Sequence, residues 1–121
     1  MGLDMYAEIT ADEIATPVDF KVENSRELHR WRKHPDLHGW MEDLYRQKGG
    51  SADSFNCVNV MLTREDLDEL ETRLIKQDLP STEGFFFGRS DGTETDDDLA
   101  FITNARKAIN EGYNVYYTSW W

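Results

Sequence analysis

The chain opens with a regular alternation of apolar and polar residues. Every odd position from Leu3 to Ile9 is apolar, and the even positions between them are more polar. A period of two is typical of a β-strand with one buried face. We therefore predict a strand over residues 3–10. The chain after it is interrupted by Pro17 and is expected to be irregular as far as Glu27.

The segment from Glu27 to Lys33 has no decisive pattern. Its residues alternate in a way that permits a strand, while their propensities permit a helix equally well. We favour a short strand that continues into a helix beginning at Pro35, because proline is preferred at the first helical position. The apolar stripe of this helix is Leu37, Trp40, Met41 and Leu44. The Gly49-Gly50 pair is expected to end it.

A second helix is predicted after a short β-rich run from Phe55 to Leu62. Thr63 has the character of an N-cap, and Asp66, three residues later, completes a variant of the capping box. The apolar stripe of this helix is Leu67, Leu70, Leu74 and Ile75. We expect the helix to end near Asp78, before Pro80.

The last part of the chain contains an aromatic segment, a third helix and a terminal strand. Three phenylalanines between Gly84 and Gly88 suit a buried strand or a tight turn. Three aspartates mark the next helix start, because negative charge stabilises a helix N-terminus. The inward residues of this helix are predicted to be Leu99, Ile102, Ala105 and Ile109. Gly112 should cap its end, and residues 113–121 form a strand bulky on both faces, which indicates a central place in a sheet.

Strands and helices alternate irregularly, which predicts an α+β fold with a mostly antiparallel sheet and about three helices. The 121 residues suffice for one domain, and 39% hydrophobic with 12% aromatic content argues against disorder. The single cysteine, Cys57, excludes an intramolecular disulfide, and its apolar neighbours predict a buried thiol. Since no run approaches the roughly 18 apolar residues of a membrane span, we expect a cytoplasmic protein without a membrane partner.

The charge is distributed unevenly along the chain, whose net charge is −11. Residues 21–48 hold seven cations against five acids, a net +2, and the remainder holds six cations against nineteen acids, a net −13. Because such a surface repels a phosphate backbone, binding to duplex DNA is not expected. Two kinds of partner remain: a protein with a basic surface, or a small anion held at the cationic segment.

The segment from Trp31 to Trp40 concentrates indole, imidazole and cationic side chains. Arginine and lysine beside an indole ring can hold a planar anionic ligand. The residues of this alternative ligand site are Trp31, Arg32, Lys33, His38 and Tyr117. The other interpretation is that Trp31 belongs to the core and that the cations pair with nearby acids.

His34 and His38 are four residues apart, a spacing that can place two helical ligands on one metal. A zinc-protease helix requires glutamate directly after the first histidine, and Pro35 occupies that position. We therefore interpret both histidines as structural. The sequence predicts no metal, no cofactor and no catalytic residue.

Outward acidic residues supply the preferred binding surface. The predicted partner-binding residues are Glu65, Asp68, Glu69, Glu71, Asp96, Asp97 and Asp98. The first four alternate with the apolar stripe of the second helix, so they should point away from the core. The last three open another helix and should extend the same field, although compensation of the helix dipole also accounts for them.

Several short sequence motifs occur together along the chain. They are the opening Met-Gly-Leu-Asp-Met-Tyr, Trp31-Arg32-Lys33, Leu37-His38 with Trp40, Gly84-Phe-Phe-Phe-Gly88, and Tyr116-Tyr117 followed by Ser119-Trp120. In this order they resemble a group of short phage- and prophage-encoded proteins that has no assigned activity. The resemblance runs from end to end except over residues 11–23. It implies a phage origin and a cytoplasmic accessory role in an infected bacterium, and it assigns no catalytic residue.

Two functional hypotheses follow. The favoured one is a non-enzymatic binding protein whose acidic face occupies the basic groove of a host nucleic-acid-binding or defence protein. Such DNA mimicry is the strategy of inhibitors of restriction or CRISPR complexes, and it predicts a contiguous acidic face without a deep pocket. The alternative is a protein or enzyme that binds a nucleotide-like ligand, and it predicts a cavity where Trp31, His38 and the C-terminal tyrosines meet.

Overall fold

The computed structural model describes residues 3–32, 34–76, 79 and 95–121, with Arg32 described by its backbone alone. Its elements are β1 (Asp4–Thr10), β2 (Arg26–Arg32), α1 (Pro35–Gln47), β3 (Val60–Leu62), α2 (Arg64–Ile75), α3 (Thr95–Asn110) and β4 (Asn114–Trp120). Within these residues four strands form one antiparallel sheet in the order β2-β1-β4-β3. The predicted α+β class is confirmed. The aromatic segment at residues 84–88 lies outside the described residues.

The ambiguous segment after the first loop is a strand, as we favoured. β2 pairs antiparallel with β1, and α1 begins at Pro35 directly after the short connection. The predicted stripe of α1 is buried, together with Tyr45. Gly49 has a φ of 100°, the left-handed conformation expected just past a helix end. At Gly50 a Cβ atom would lie 2.3 Å from the Tyr45 ring, so the chain can turn here only with glycine.

Helices cover one face of the sheet. In the register of the strands, Ala7 of β1 stands opposite His29 of β2 and Tyr117 of β4. The ring of Phe101 in α3 lies 5.6 Å from that of His29, and His38 of α1 is hydrogen-bonded to Tyr117. We call this side the covered face, and Ala7 at its centre is fully buried.

The opposite side of the sheet is the outer face, because successive side chains of a strand point in opposite directions. Tyr6 of β1 stands there opposite Arg30 of β2. The loop of residues 11–25 covers part of this face, and its Phe20 packs edge-on against Tyr116 with 5.3 Å between ring centroids. Tyr116 is buried as a result, whereas Arg30 is exposed.

The terminal strand occupies the interior position that its bulky residues predicted. β4 lies between β1 and β3. Val115 and Tyr117 are buried on the covered face, and Tyr116 is buried on the outer face beneath the loop. The preceding turn includes Gly112 at a φ of 97°, which confirms it as the residue that lets the chain leave α3.

α2 carries the predicted capping box. The Thr63 hydroxyl accepts a hydrogen bond from the Asp66 amide, and the Asp66 carboxylate accepts one from the Thr63 amide. Leu67, Leu70 and Leu74 are buried, as their spacing indicated. The fourth member of the predicted stripe is wrong: Ile75, the last residue of the helix, is 68% exposed.

The β-rich run before α2 is a strand only at its end. Phe55 is buried without belonging to a strand, and pairing with β4 is confined to residues 60–62. Cys57 has a φ of 61°, and this left-handed conformation turns the chain. Its thiol is exposed, so the expectation of a buried thiol is wrong.

Candidate functional site

A buried carboxylate in α3 joins the two halves of the cation- and indole-rich segment. The Asp98 side chain accepts a hydrogen bond from Trp31 Nε1 at 2.8 Å on one oxygen. Its other oxygen lies 2.7 Å from His34 Nε2, within hydrogen-bonding distance. Asp98 is 1% exposed and His34 is 4% exposed. The cluster therefore fixes the end of β2 and the start of α1 against α3.

A second histidine–aspartate pair lies beside this cluster at the surface. His29 Nε2 is 2.9 Å from Asp97 Oδ2, and the Asp97 side chain is 57% exposed. The His29 ring also packs against Trp31 with 4.5 Å between centroids. The first turn of α3 is thus held to β2 through two neighbouring carboxylates.

His38 and Tyr117 form a separate buried pair on the covered face. His38 Nδ1 lies 2.6 Å from the Tyr117 hydroxyl, and Phe55 packs beside both rings. Burial lowers the pKa of His38 from 6.5 to about 4, and burial raises the pKa of Tyr117 well above its ordinary value. Both groups are neutral near pH 7. A histidine with so low a pKa is a weak base, which makes this pair a structural contact and a poor proton acceptor for catalysis.

These placements favour the core interpretation of the segment over the ligand site. Trp31, His38 and Tyr117 are at most 4% exposed and pack against other side chains. The Arg32 side chain and Lys33 lie outside the described residues, so their part of the prediction stays untested. Among the residues that the structure describes, no three histidines, cysteines or acids are grouped to hold a metal ion.

The acidic residues divide into an exposed group and one buried exception. Asp98 was predicted on the outward acidic face, and that prediction is wrong because its carboxylate is used internally by Trp31 and His34. The remaining predicted residues form the acidic helix surface: Glu65, Asp68, Glu69, Glu71, Asp96 and Asp97. Because the carboxylates on α2 alternate with its buried leucines, they point away from the core.

Several carboxylates of this surface already bind a neighbouring cation. Arg106 of α3 donates to Asp68 at 2.6 Å and to Glu71 at 2.8 Å, and its bond to Glu71 lowers the pKa of that carboxyl. Arg73 donates to Glu69 at 3.1 Å within α2. The surface is therefore a set of paired and partly exposed charges, and its field is weaker than the count of acids indicates.

An acidic cleft lies between α1 and α2. It has a volume of about 320 Å³. The residues that line it include Asp43, Asp66, Glu69, Arg73, Trp40 and Leu44. Asp66 also binds the ammonium group of Lys48, in addition to its role in the capping box. The sequence did not reveal this cleft, because its two walls come from helices whose approach depends on tertiary packing.

The outer face holds two aromatic side chains, Tyr6 and Trp120, that the sequence did not predict to lie on neighbouring strands. Trp120 is 69% exposed, and Tyr6 lies on the adjacent strand β1. The period-two pattern of β1 predicted that Tyr6 lies on the polar face of its strand. The sequence did not predict the strand order, which brings Tyr6 and Trp120 to neighbouring strands of one face.

No family model, curated protein or solved structure matches the chain. Among the residues that the structure describes, no helix has the length and apolar character needed to cross a membrane.

Proposed function

We propose that the protein is a non-enzymatic binding protein that holds a basic surface of a partner protein against α1 and α2. The expected partner is a host nucleic-acid-binding or defence protein, inhibited by this chain as a phage-encoded accessory protein of the host cytoplasm. The observation that carries the proposal is the acidic cleft, where Asp43, Asp66 and Glu69 surround one recess.

The cleft has the chemistry of a receptor for a lysine or arginine side chain. Carboxylates from both helices supply the negative charge, and Trp40 and Leu44 supply apolar surface beside them. Long cationic side chains combine an apolar stem with a charged head, so they satisfy both kinds of surface at once. A neutral or acidic side chain gains no attraction from the carboxylates.

The internal ion pairs leave the surface available to such a partner. The side chain of Glu69 is 56% exposed and that of Asp68 is 68% exposed, although each binds an arginine. Ion pairs this exposed contribute only about 0–1 kcal/mol, because water competes for both charges. A cation of the partner can therefore replace Arg73 on Glu69 at small cost, whereas Arg106 binds two carboxylates and Asp66 stays bound to Lys48.

The test is a charge reversal at the mouth of the cleft. Glu69→Lys is expected to slow association with the partner by roughly tenfold and to flatten the salt dependence of the association rate. The partner is captured from infected host lysate, identified by mass spectrometry and purified, and the rates are then measured at two salt concentrations.

Glu42→Lys is the matched control. It changes the net charge equally and also breaks an ion pair four residues apart, to Arg46 at 3.7 Å, but on α1 outside the cleft lining. If both variants slow association equally, net charge acts and the cleft does not. If Glu69→Lys binds normally while replacement of Arg32 and Lys33 abolishes binding, the partner is held by the cationic segment and the proposal is wrong.

A further inference from the structure

Beside the buried Tyr116, the outer face of the sheet carries two aromatic side chains on its two central strands that solvent reaches, Tyr6 and Trp120. Tyr6 of β1 stands opposite Thr118 of β4, so Trp120 is its diagonal neighbour two residues along β4. Diagonal neighbours of this kind are about 7–8 Å apart, within reach of large rings. Trp120 is 69% exposed and Tyr6 is half-buried, so each side chain is accessible to solvent on this face.

An arginine continues this row across the sheet. The guanidinium carbon of Arg30 lies 5.2 Å from the centroid of the Tyr6 ring, and its Nη2 atom is 3.4 Å from the Tyr6 hydroxyl. Arg30 is exposed on the edge strand β2, whose seven residues include three arginines and one glutamate. Guanidinium, phenol and indole therefore follow one another from β2 to β4.

The acidic charge of the helices acts weakly at this row, although Asp4 of β1 stands between Arg32 and Trp120 in the strand register. α2 lies on the other side of the sheet, and a helix with its side chains is about 10–12 Å across, so outward carboxylates such as Glu69 are at least that far away. The Debye length at about 0.15 M salt is roughly 8 Å, which screens charges at such distances. On the outer face itself, Glu8 accepts hydrogen bonds from Ser25 and Tyr116 beneath the loop.

We propose that Arg30, Tyr6 and Trp120 form a binding site for single-stranded nucleic acid. Unpaired bases stack on the two rings, and Arg30 contacts a phosphate of the same strand. Stacking suits any base because every base has a π-face, so the site is expected to tolerate sequence variation. This ligand offers both a negatively charged phosphate for Arg30 and flat apolar base surfaces for the two rings. The proposal is independent of the acidic cleft and concerns the other side of the sheet.

A phosphate is favoured beside Arg30, and the base attached to it reaches Tyr6. One phosphate contact predicts a shallow salt dependence, with a slope of log affinity against log salt of about −0.7.

The experiment measures fluorescence anisotropy of a labelled deoxythymidine strand of about twelve nucleotides. We expect a dissociation constant of tens to hundreds of micromolar at low salt, which corresponds to two stacked bases and one phosphate. Trp120→Ala should weaken binding by roughly 5- to 100-fold, and Trp120→Phe by less because it retains a ring. Ile75→Ala removes another large exposed apolar side chain, on α2, and should leave binding unchanged.

A strand of equal length without bases separates stacking from charge on the wild-type protein. It keeps every phosphate, so the proposal predicts a loss of at least about fivefold relative to deoxythymidine. Equal affinity for the two strands would overturn the proposal, and so would unchanged binding by a folded Trp120→Ala protein. If the wild type binds no strand at about 1 mM protein and Trp120→Ala instead alters self-association, the face joins two copies of the chain and the proposal is wrong.

Discussion

Asp98 is the side chain on which two distant parts of the chain converge. It follows two exposed aspartates in sequence, yet it is buried between α3 and the junction of β2 with α1. Removing a carboxylate from water is costly unless hydrogen bonds compensate it, and Trp31 and His34 supply them here. The residue therefore stabilises the fold, and it is unavailable to a partner.

Replacement of Asp98 tests this role. Asp98→Ala leaves the His34 and Trp31 donors without their acceptor, so it should lower the free energy of unfolding by about 3–5 kcal/mol. Asp96→Ala is the control, because Asp96 is exposed in the same helical turn and should cost no more than about 1 kcal/mol. Urea unfolding of the two variants measures the difference. Equal losses would mean that Asp98 acts only on the helix dipole, as the sequence alone indicated.

His38 should make the stability of the protein depend on pH. Its pKa is about 4 in the folded protein and 6.5 when exposed, so below pH 6.5 the unfolded chain binds a proton that the folded protein does not. The contribution is fully present above pH 6.5 and is lost as the pH falls toward 4. Between about pH 7 and pH 5 the loss should reach about 2 kcal/mol.

Urea unfolding of the wild type and His38→Gln across this range isolates the effect. The glutamine does not titrate, so the variant should lose about 2 kcal/mol less than the wild type between about pH 7 and pH 5. Glu71, whose pKa is lowered by Arg106, contributes only at lower pH. Parallel pH profiles for the two proteins would show that His38 is accessible to protons in the folded state.

For single helices and strands, the local sequence was sufficient to predict the element where it carried a regular periodicity or a clear start signal. The alternation from Leu3 gave β1, proline at the first position gave the start of α1, and Thr63 gave the start of α2. Each signal lies within a few residues of the structure that it determines. Tertiary packing reinforced these choices and did not reverse them.

Several errors fall where the deciding contact is distant in sequence. Asp98 is 67 residues from Trp31 and 64 from His34, so no local window relates it to its partners. Phe55 is apolar because it packs against His38 and Tyr117, which made the run after it resemble a longer strand. The cleft between α1 and α2, and the meeting of Tyr6 with Trp120, likewise depend on packing and strand order.

The whole molecule presents two surfaces of different chemistry. The sheet separates the helices, with their outward carboxylates, from the outer face with its arginine and aromatic row. The net charge of −11 is an average over both sides, and screening over about 8 Å lets each side act nearly on its own. Charge reversal on α2 and ring removal on β4 are therefore expected to affect different ligands.

This separation of the two surfaces predicts that the protein binds duplex DNA only weakly. Stacking requires unpaired bases, and a duplex offers the outer face only its phosphates, of which Arg30 can contact about one. The remaining surface is acidic and repels the rest of the backbone. We expect no binding tighter than about 1 mM to a duplex of about 20 base pairs at about 0.15 M salt, measured by anisotropy beside the single strand. Micromolar duplex binding that weakens steeply with salt would reveal a larger basic surface than the described residues provide.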